Sequence, residues 1–227
     1  MNAKNLRVEF LREPIGIDIK RPRFSWELEL SDSDYQKEIY NQKAYRIHLY
    51  KNQEVFWDSG EVFSNQMNNI EYKGPELAPF TEYHWKVKIL ADGDDWSQWS
   101  EFTKFITGAF ISEDLSAQWI LDVKREFEMI KVKDSTKKEL QTIKKSNPSP
   151  LLKKQIEITE KVKSAYAIIS ALGYYEAYVN GTKIGSSYLT PEWTDYNKRL
   201  LYQVFEVTDL FLFGQYTLGA MLAVGWY

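Results

Sequence analysis

Residues 192–196, Glu-Trp-Thr-Asp-Tyr, set two carboxylates, Glu192 and Asp195, beside two aromatic rings, Trp193 and Tyr196. A flat ring flanked by hydrogen-bond acceptors suits a sugar, so Trp193, Asp195 and Tyr196 are the carbohydrate-contact candidates. The competing reading is structural and carries more weight: Pro191 sets a turn, the two rings pack, and Asp195 pairs with Arg199. Two acids three positions apart in a loop have no spacing that defines a catalytic dyad, so no residue is assigned to catalysis. Asp92-Gly93-Asp94-Asp95 gathers three carboxylates around a glycine, far short of the ligand set of a calcium loop, and reads as a solvated hairpin tip. His48 and His84, the only histidines, lie on the polar sides of predicted strands without a triad or metal signature. With no Cys in the chain, thiol nucleophiles, disulfide scaffolds and Cys-ligated zinc are excluded. No metal and no cofactor are expected.

The charge balance, 29 Lys+Arg against 32 Asp+Glu for a net −3, gives no reason to expect nucleic acid or an anionic membrane as partner. No apolar run approaches the roughly 18 residues of a membrane span. The polar start, Met1 to Asn5, lacks the apolar core of a signal peptide. That start implies a cytoplasmic protein if Met1 is native, and a periplasmic or secreted one if a signal was removed. Charge is nonetheless segregated: Lys124 to Lys163 carries +6 and the rest −9. In that segment Thr136 and Glu139 have capping-box spacing, Leu140 and Ile143 form a thin apolar stripe, and Asn147-Pro148-Ser149-Pro150 stops the run. A short helix on a solvated, basic, loop-like insertion is expected, since Phe127 is the only stacking ring before its end.

The elements that must position these residues are strands. The 227 residues hold 15% aromatics, in short alternating runs separated by Asn, Asp, Gly and Pro, the pattern of an all-β protein. Tyr45, Ile47 and Leu49 share one strand face, with Arg46, His48 and Tyr50 on the other. Val55-Phe56-Trp57 closes on Asp58-Ser59-Gly60, where an Asp side chain can cap its own turn and Gly supplies a positive φ. Leu77, Pro79, Thr81, Tyr83, Trp85 and Val87 resemble the L-x-P-x-T-x-Y-x-W/F-x-V run of fibronectin type III domains, whose Tyr makes a corner hydrogen bond. Trp26 on an early strand and a last strand from Trp99 to Thr107 complete that picture. Trp96 and Trp99, beside Ser97 and Ser100, read as a stacking ladder within the fold. From Leu151 the β pattern returns through Ile156, Ile158, Tyr166 and Ile168. In Tyr174 to Gly185 the Asn180-Gly181 pair marks a type I′ hairpin.

Taken in order, Leu6 to Phe10, Pro14 to Asp18, Arg21 to Trp26, Leu172 to Glu176, Asn180-Gly181, Ile184-Gly185, Leu189 to Arg199, Tyr202, Val207 to Leu210 and Gly225-Trp226-Tyr227 resemble the N-terminal region of bacterial α-L-rhamnosidases of the glycoside hydrolase 78 type. The resemblance implies two consecutive β-sandwich domains. The first is fibronectin III- or immunoglobulin-like (1–110) and the second is a partial jelly-roll-like N-terminal β-domain (151–227), joined by a linker and helical or irregular basic insertion (111–150). It also implies what is missing. In that family acidic residues of a following (α/α)₆ barrel hydrolyse terminal α-L-rhamnose with inversion, which needs an acid and a base across the sugar ring, and neither maps here. The expected partner is therefore that C-terminal catalytic domain, with a rhamnose-containing glycan as a further partner. The family's second domain continues beyond the Gly-Trp-Tyr motif, so a fragment is expected. A stand-alone carbohydrate-binding or adhesive module is the alternative, and a receptor-like protein-interaction pair the third.

Overall fold

The computed structural model describes residues 1–30, 41–91, 95–120 and 149–223, together with the backbone of the strands Met129–Lys133 and Leu140–Lys144. Among the described residues the regular structure is β, apart from single 3₁₀ turns at Ser112–Asp114 and Thr208–Leu210. The chain divides into two compact units, Met1–Ser116 and Ala117–Tyr227.

The first unit is a sandwich. One sheet is antiparallel, β1 (Asn2–Val8), β3 (Arg23–Glu29) and β7 (Ile70–Glu71) in the order β1-β3-β7. The other runs β2 (Ile15–Ile17), β9 (Thr103–Thr107), β8 (Glu82–Leu90), β4 (Ala44–Lys51), β5 (Glu54–Asp58), with β6 (Val62–Phe63) also on β4. Alternation fixes which face is core: Tyr83, Trp85, Val87 and Ile89 on β8 are fully buried, and Tyr45, Ile47 and Leu49 on β4 join them. From the opposite sheet Phe24 meets the rings of Trp57, Tyr72, Trp85 and Phe105. Trp26, also buried, donates its indole N–H to Gln42 Oε1 (2.9 Å), whose amide in turn donates to the Ser64 and Gln66 carbonyls. This polar insert in the core is therefore satisfied.

The expected corner is present. The Ala78 N–H donates to Tyr83 Oη (2.9 Å), and Thr107 Oγ1 both donates to the Ala78 carbonyl (2.7 Å) and accepts from Thr81 N–H (2.8 Å). The Asp58 turn also forms as its residues dictate, with Gly60 at φ +64° donating its N–H to Asp58 Oδ1 (2.9 Å). The last strand differs from expectation, beginning at Thr103 rather than Trp99. The reason lies in Trp96-Ser97-Gln98-Trp99-Ser100, which is fastened along β8 by its serines instead of running into β9. Ser97 Oγ accepts from Ile89 N–H and Ser100 Oγ from Val87 N–H, while the serine N–H groups donate to the carbonyls of those same residues. That pins the two indoles over the polar face of the sheet, with Lys88 above Trp96 (4.6 Å) and Trp99 (5.4 Å) and Lys86 above Trp99 (5.0 Å).

The second unit pairs a four-stranded antiparallel sheet, β12 (Leu151–Ile158), β17 (Gly214–Ala223), β14 (Tyr174–Val179) and β15 (Thr182–Lys183), with a two-stranded sheet of β13 (Tyr166–Ile169) and β16 (Gln203–Glu206). Among its described residues, Ala171, Tyr175 and Ala177 form a buried cluster backed by Ile169, Ile184, Phe205 and Leu222, and Val179 and Val207 are buried as well. The β14–β15 hairpin turns on Asn180 (φ +48°) and Gly181 (φ +83°), the left-handed pair a type I′ turn needs.

The basic insertion corrects an expectation. Where the sequence suggested a short helix, β10 (Met129–Lys133) and β11 (Leu140–Lys144) form an antiparallel pair, with Ile130 opposite Ile143. The stripe of Leu140 and Ile143 is too thin to hold a helix against anything, whereas Ile130 and Val132 alternating with Lys131 and Lys133 carry a strand's period. Thr136, Glu139, Phe127, Asn147 and Pro148 lie outside the described residues, as do Gly225, Trp226 and Tyr227.

Candidate functional site

The candidate loop, residues 186–200, follows the β14–β15 hairpin and is pinned at two points. At the first, Thr190 is buried, its hydroxyl donating to the Tyr175 carbonyl (2.7 Å) while its own carbonyl accepts from Tyr175 N–H (2.8 Å). At the second, Tyr196 Oη accepts from Gly173 N–H (3.1 Å). Around the first pin the chain passes through two left-handed non-glycine residues, Leu189 (φ +56°) before it and Glu192 (φ +79°) after it, closed by a Glu192 N–H to Leu189 carbonyl bond. Such conformations persist only where the surroundings over-determine them, and here the two pins do so.

The result for the predicted residues is mixed. Trp193 is 62% exposed, so it is presented at the surface and not packed into the sandwich. Tyr196 is half-buried and serves the scaffold through Gly173. The Asp195 carboxylate accepts from Asn197 N–H (3.1 Å) and lies 3.4 Å from Lys198 Nζ. The expected pairing with the Arg199 side chain is replaced by this i,i+3 contact, and the Asp195 carbonyl accepts from the backbone N–H groups of both Lys198 and Arg199. The loop thus offers a ring and a carboxylate for contact.

A neighbouring constellation was not singled out in the sequence. Lys183 Nζ meets Glu176 Oε1 (2.7 Å) and sits 4.3 Å above the Tyr188 ring, and Tyr178 Oη donates to the other Glu176 oxygen. The hydrogen bond from Lys183, reinforced by Tyr178, holds the Glu176 carboxyl below the usual carboxylate range. Its signal was present in the alternation of β14: Tyr175, Ala177 and Val179 are buried, which forces Glu176 and Tyr178 onto the opposite face together. Tyr175, on the core side, donates to Gln203 Oε1 (2.7 Å), and burial pushes its phenol up to about 12.

Both histidines sit among protein partners. His48 lies against Trp99 (ring centroids 4.2 Å apart), with Nδ1 3.3 Å from Tyr50 Oη and Nε2 3.3 Å from Asp58, and burial lowers its pKa. His84 is 3.6 Å from Glu82. Asp92, Gly93 and Asp94 lie outside the described residues. Among the described residues no three His, Asp or Glu side chains are grouped to hold a metal, and no helix is long and apolar enough to cross a membrane.

Comparison with known proteins gives this arrangement a family. Residues 3–110 match the Rha78A-like N-terminal immunoglobulin domain, and residues 160–227 match the alpha-L-rhamnosidase N-terminal domain. Among curated proteins, an alpha-L-rhamnosidase of Formosa agariphila is 30% identical over 99% of this chain and 24% of its own length. One from Alteromonas sp. is 29% identical over 94% of this chain and 22% of its own. The solved alpha-L-rhamnosidase of Dictyoglumus thermophilum superposes on the whole chain with a TM-score of 0.85 at 32% identity, over 25% of that protein. The Aspergillus terreus enzyme, at 23% identity and a TM-score of 0.78, shares the fold. The chain spans about a quarter of the length of these relatives. By its two domains, the chain belongs with the N-terminal domain families of the α-L-rhamnosidases.

Proposed function

We propose that this chain is a non-catalytic N-terminal part of an α-L-rhamnosidase, an enzyme that removes terminal α-L-rhamnose. In this reading its second domain supports a catalytic domain, the (α/α)₆ barrel of the family, and residues 111–150 connect the two β-domains. One observation carries the reading: among the described residues of the second unit, Tyr188, Leu189, Trp193, Leu212 and Phe213 are each more than 60% exposed. Apolar side chains so placed suit contact with further polypeptide, and the relatives have about four times this length. The pinned loop carrying Trp193 is the proposed contact, with Asp195 and Tyr196 as its positioning residues.

The test is direct. Purified residues 1–227 release no p-nitrophenol from p-nitrophenyl α-L-rhamnoside, whereas a chimera replacing the matching region of the Dictyoglumus thermophilum enzyme with this chain is active. Trp193→Ala in that chimera lowers its thermal stability. Turnover by the chain alone, or a chimera indifferent to the whole region, overturns the proposal. The exposed Trp193 beside Asp195 also favours a second reading, a carbohydrate-binding module. In that case calorimetry detects L-rhamnose binding by residues 1–227, and Trp193→Ala abolishes it.

A further inference from the structure

The first unit contains a groove of about 480 Å³ that no role above uses. One wall is Asn2–Leu6 of β1, the terminal strand of its sheet; the other is Gln98–Thr103, from the second half of the tryptophan ladder to the start of β9. A terminal strand carries N–H and C=O groups that its single sheet neighbour does not consume. The volume lies within the range of small-molecule sites, about 300–1,000 Å³.

The lining selects a ligand class. Two of its charges, Lys4 and Glu29, are bonded to each other at 2.7 Å. That leaves Glu101 as the remaining charge of the lining, with the Lys86 ammonium beside the Phe102 ring to offset it, so no net charge recruits an ionic ligand. Asn2, Gln98 and Glu101 supply side-chain donors and acceptors. Phe102 supplies a platform. It is 54% exposed, yet fixed by an edge contact from Tyr50 (centroids 5.1 Å apart) and by the Lys86 ammonium (4.8 Å). A ring held in place and open to solvent accepts a flat C–H face at little ordering cost. The combination of aromatic platform, amides, one carboxylate and backbone groups, with almost no net charge, is what a neutral, polyhydroxylated molecule requires.

We propose that this groove is a binding subsite for a neutral saccharide of one or two rings, built on Phe102 with Gln98 and Glu101 as hydrogen-bonding partners. It is independent of the proposed support role and of the Trp193 loop, which belongs to the other unit. Binding is weak, on the order of 1 mM, as expected for a single platform with few polar contacts.

The test is a titration of ¹⁵N-labelled residues 1–227 with L-rhamnose and with cellobiose, using D-glucuronate as the charged control. Amide shifts at Asn2–Leu6 and Gln98–Thr103 with at least one neutral sugar are the expected result. Affinity then falls at least tenfold in Phe102→Ala and in Glu101→Gln, on the scale of one hydrogen bond or platform lost. Both positions are exposed, so the variants keep the wild-type circular dichroism; a tenfold loss with an unchanged spectrum is required. No shifts at these amides with either neutral sugar, shifts confined to the Trp193 loop, tighter binding of D-glucuronate, or wild-type affinity in both variants overturns the proposal.

Discussion

Replacing Tyr83 with Phe removes a single oxygen from a fully buried ring and leaves the core shape intact, so it isolates the corner hydrogen bond. The oxygen accepts the Ala78 N–H at 2.9 Å. In its absence that N–H has to find water or go unsatisfied. The adjoining peptide is anchored, its Ala78 carbonyl held by Thr107 Oγ1 at 2.7 Å while the same hydroxyl accepts from Thr81 N–H, which restrains Ala78 from turning outward to hydrate its N–H. The loss therefore falls in the middle of the range for a stranded buried donor, about 2 kcal/mol. For a unit of this size that is a fall of roughly 6–10 °C in midpoint temperature. The companion variant Tyr72→Phe loses a donor to the Pro75 carbonyl (2.7 Å). A carbonyl has a second lone pair and tolerates the loss better, so about 1 kcal/mol is expected. Urea unfolding followed by tryptophan fluorescence reads the first unit, which holds Trp26, Trp57, Trp85, Trp96 and Trp99 out of 8 tryptophans in the chain. A Tyr83→Phe cost below about 0.5 kcal/mol, or one smaller than that of Tyr72→Phe, would refute the argument that Thr107 locks the corner.

Three further outcomes follow from contacts already described. The hydrogen bond from Arg46, together with that from Gly60 N–H, pulls the Asp58 carboxyl from 3.8 to about 2. A folded-state pKa below the unfolded one contributes stability that is full above pH 3.8 and lost as pH falls toward 2; Asp58→Asn flattens this part of an acid-unfolding profile, and an unchanged profile contradicts it. Gly185→Ala places a methyl group against the Phe205 ring at a φ of +73°, so the second unit loses about 2–4 kcal/mol while unfolding of the first, read separately, stays put. Lys88→Gln removes the ammonium lying over Trp96 and Trp99 and costs about 0.5–1.5 kcal/mol, measured by the same urea titration; stabilisation would show the ladder to be incidental.

The sequence made much of this legible where a local rule and a global role coincide. The run from Leu77 to Val87 announced both a strand and its corner, because alternation and the turn chemistry of Pro79 and Thr81 point to one structure. Asn180-Gly181 did the same for its hairpin. Reading failed where two periods competed over few residues: Leu140 and Ile143 fit a helix at i,i+3, and only the pairing of Ile143 with Ile130 across the ladder decides for a strand. Trp99 looked like the start of a strand because aromatics favour strands, but the serine hydroxyls on either side offered the backbone of β8 another partner. The candidate loop was legible as a loop. Its presentation of Trp193 was not, since exposure depends on the pins at Thr190 and Tyr196, which bond to residues 15 and 23 positions away.

The Asn180-Gly181 turn has a consequence for how the protein ages. Asn followed by Gly is the dipeptide most prone to deamidation, because nothing on Gly hinders attack of its backbone nitrogen on the Asn carboxamide. Here the carboxamide oxygen is held by Thr217 N–H (2.7 Å), and the Asn180 N–H donates to the Thr217 carbonyl (2.9 Å). Cyclisation must first release the side chain from β17, so intact folding protects the site chemically. If the ring does form, reopening to isoaspartate inserts an extra backbone carbon into a two-residue turn and breaks the register of β15 against β14. Deamidation at Asn180, followed by peptide mass mapping over storage time, therefore works as a clock that runs slowly while β14 and β17 stay paired and quickly once they part.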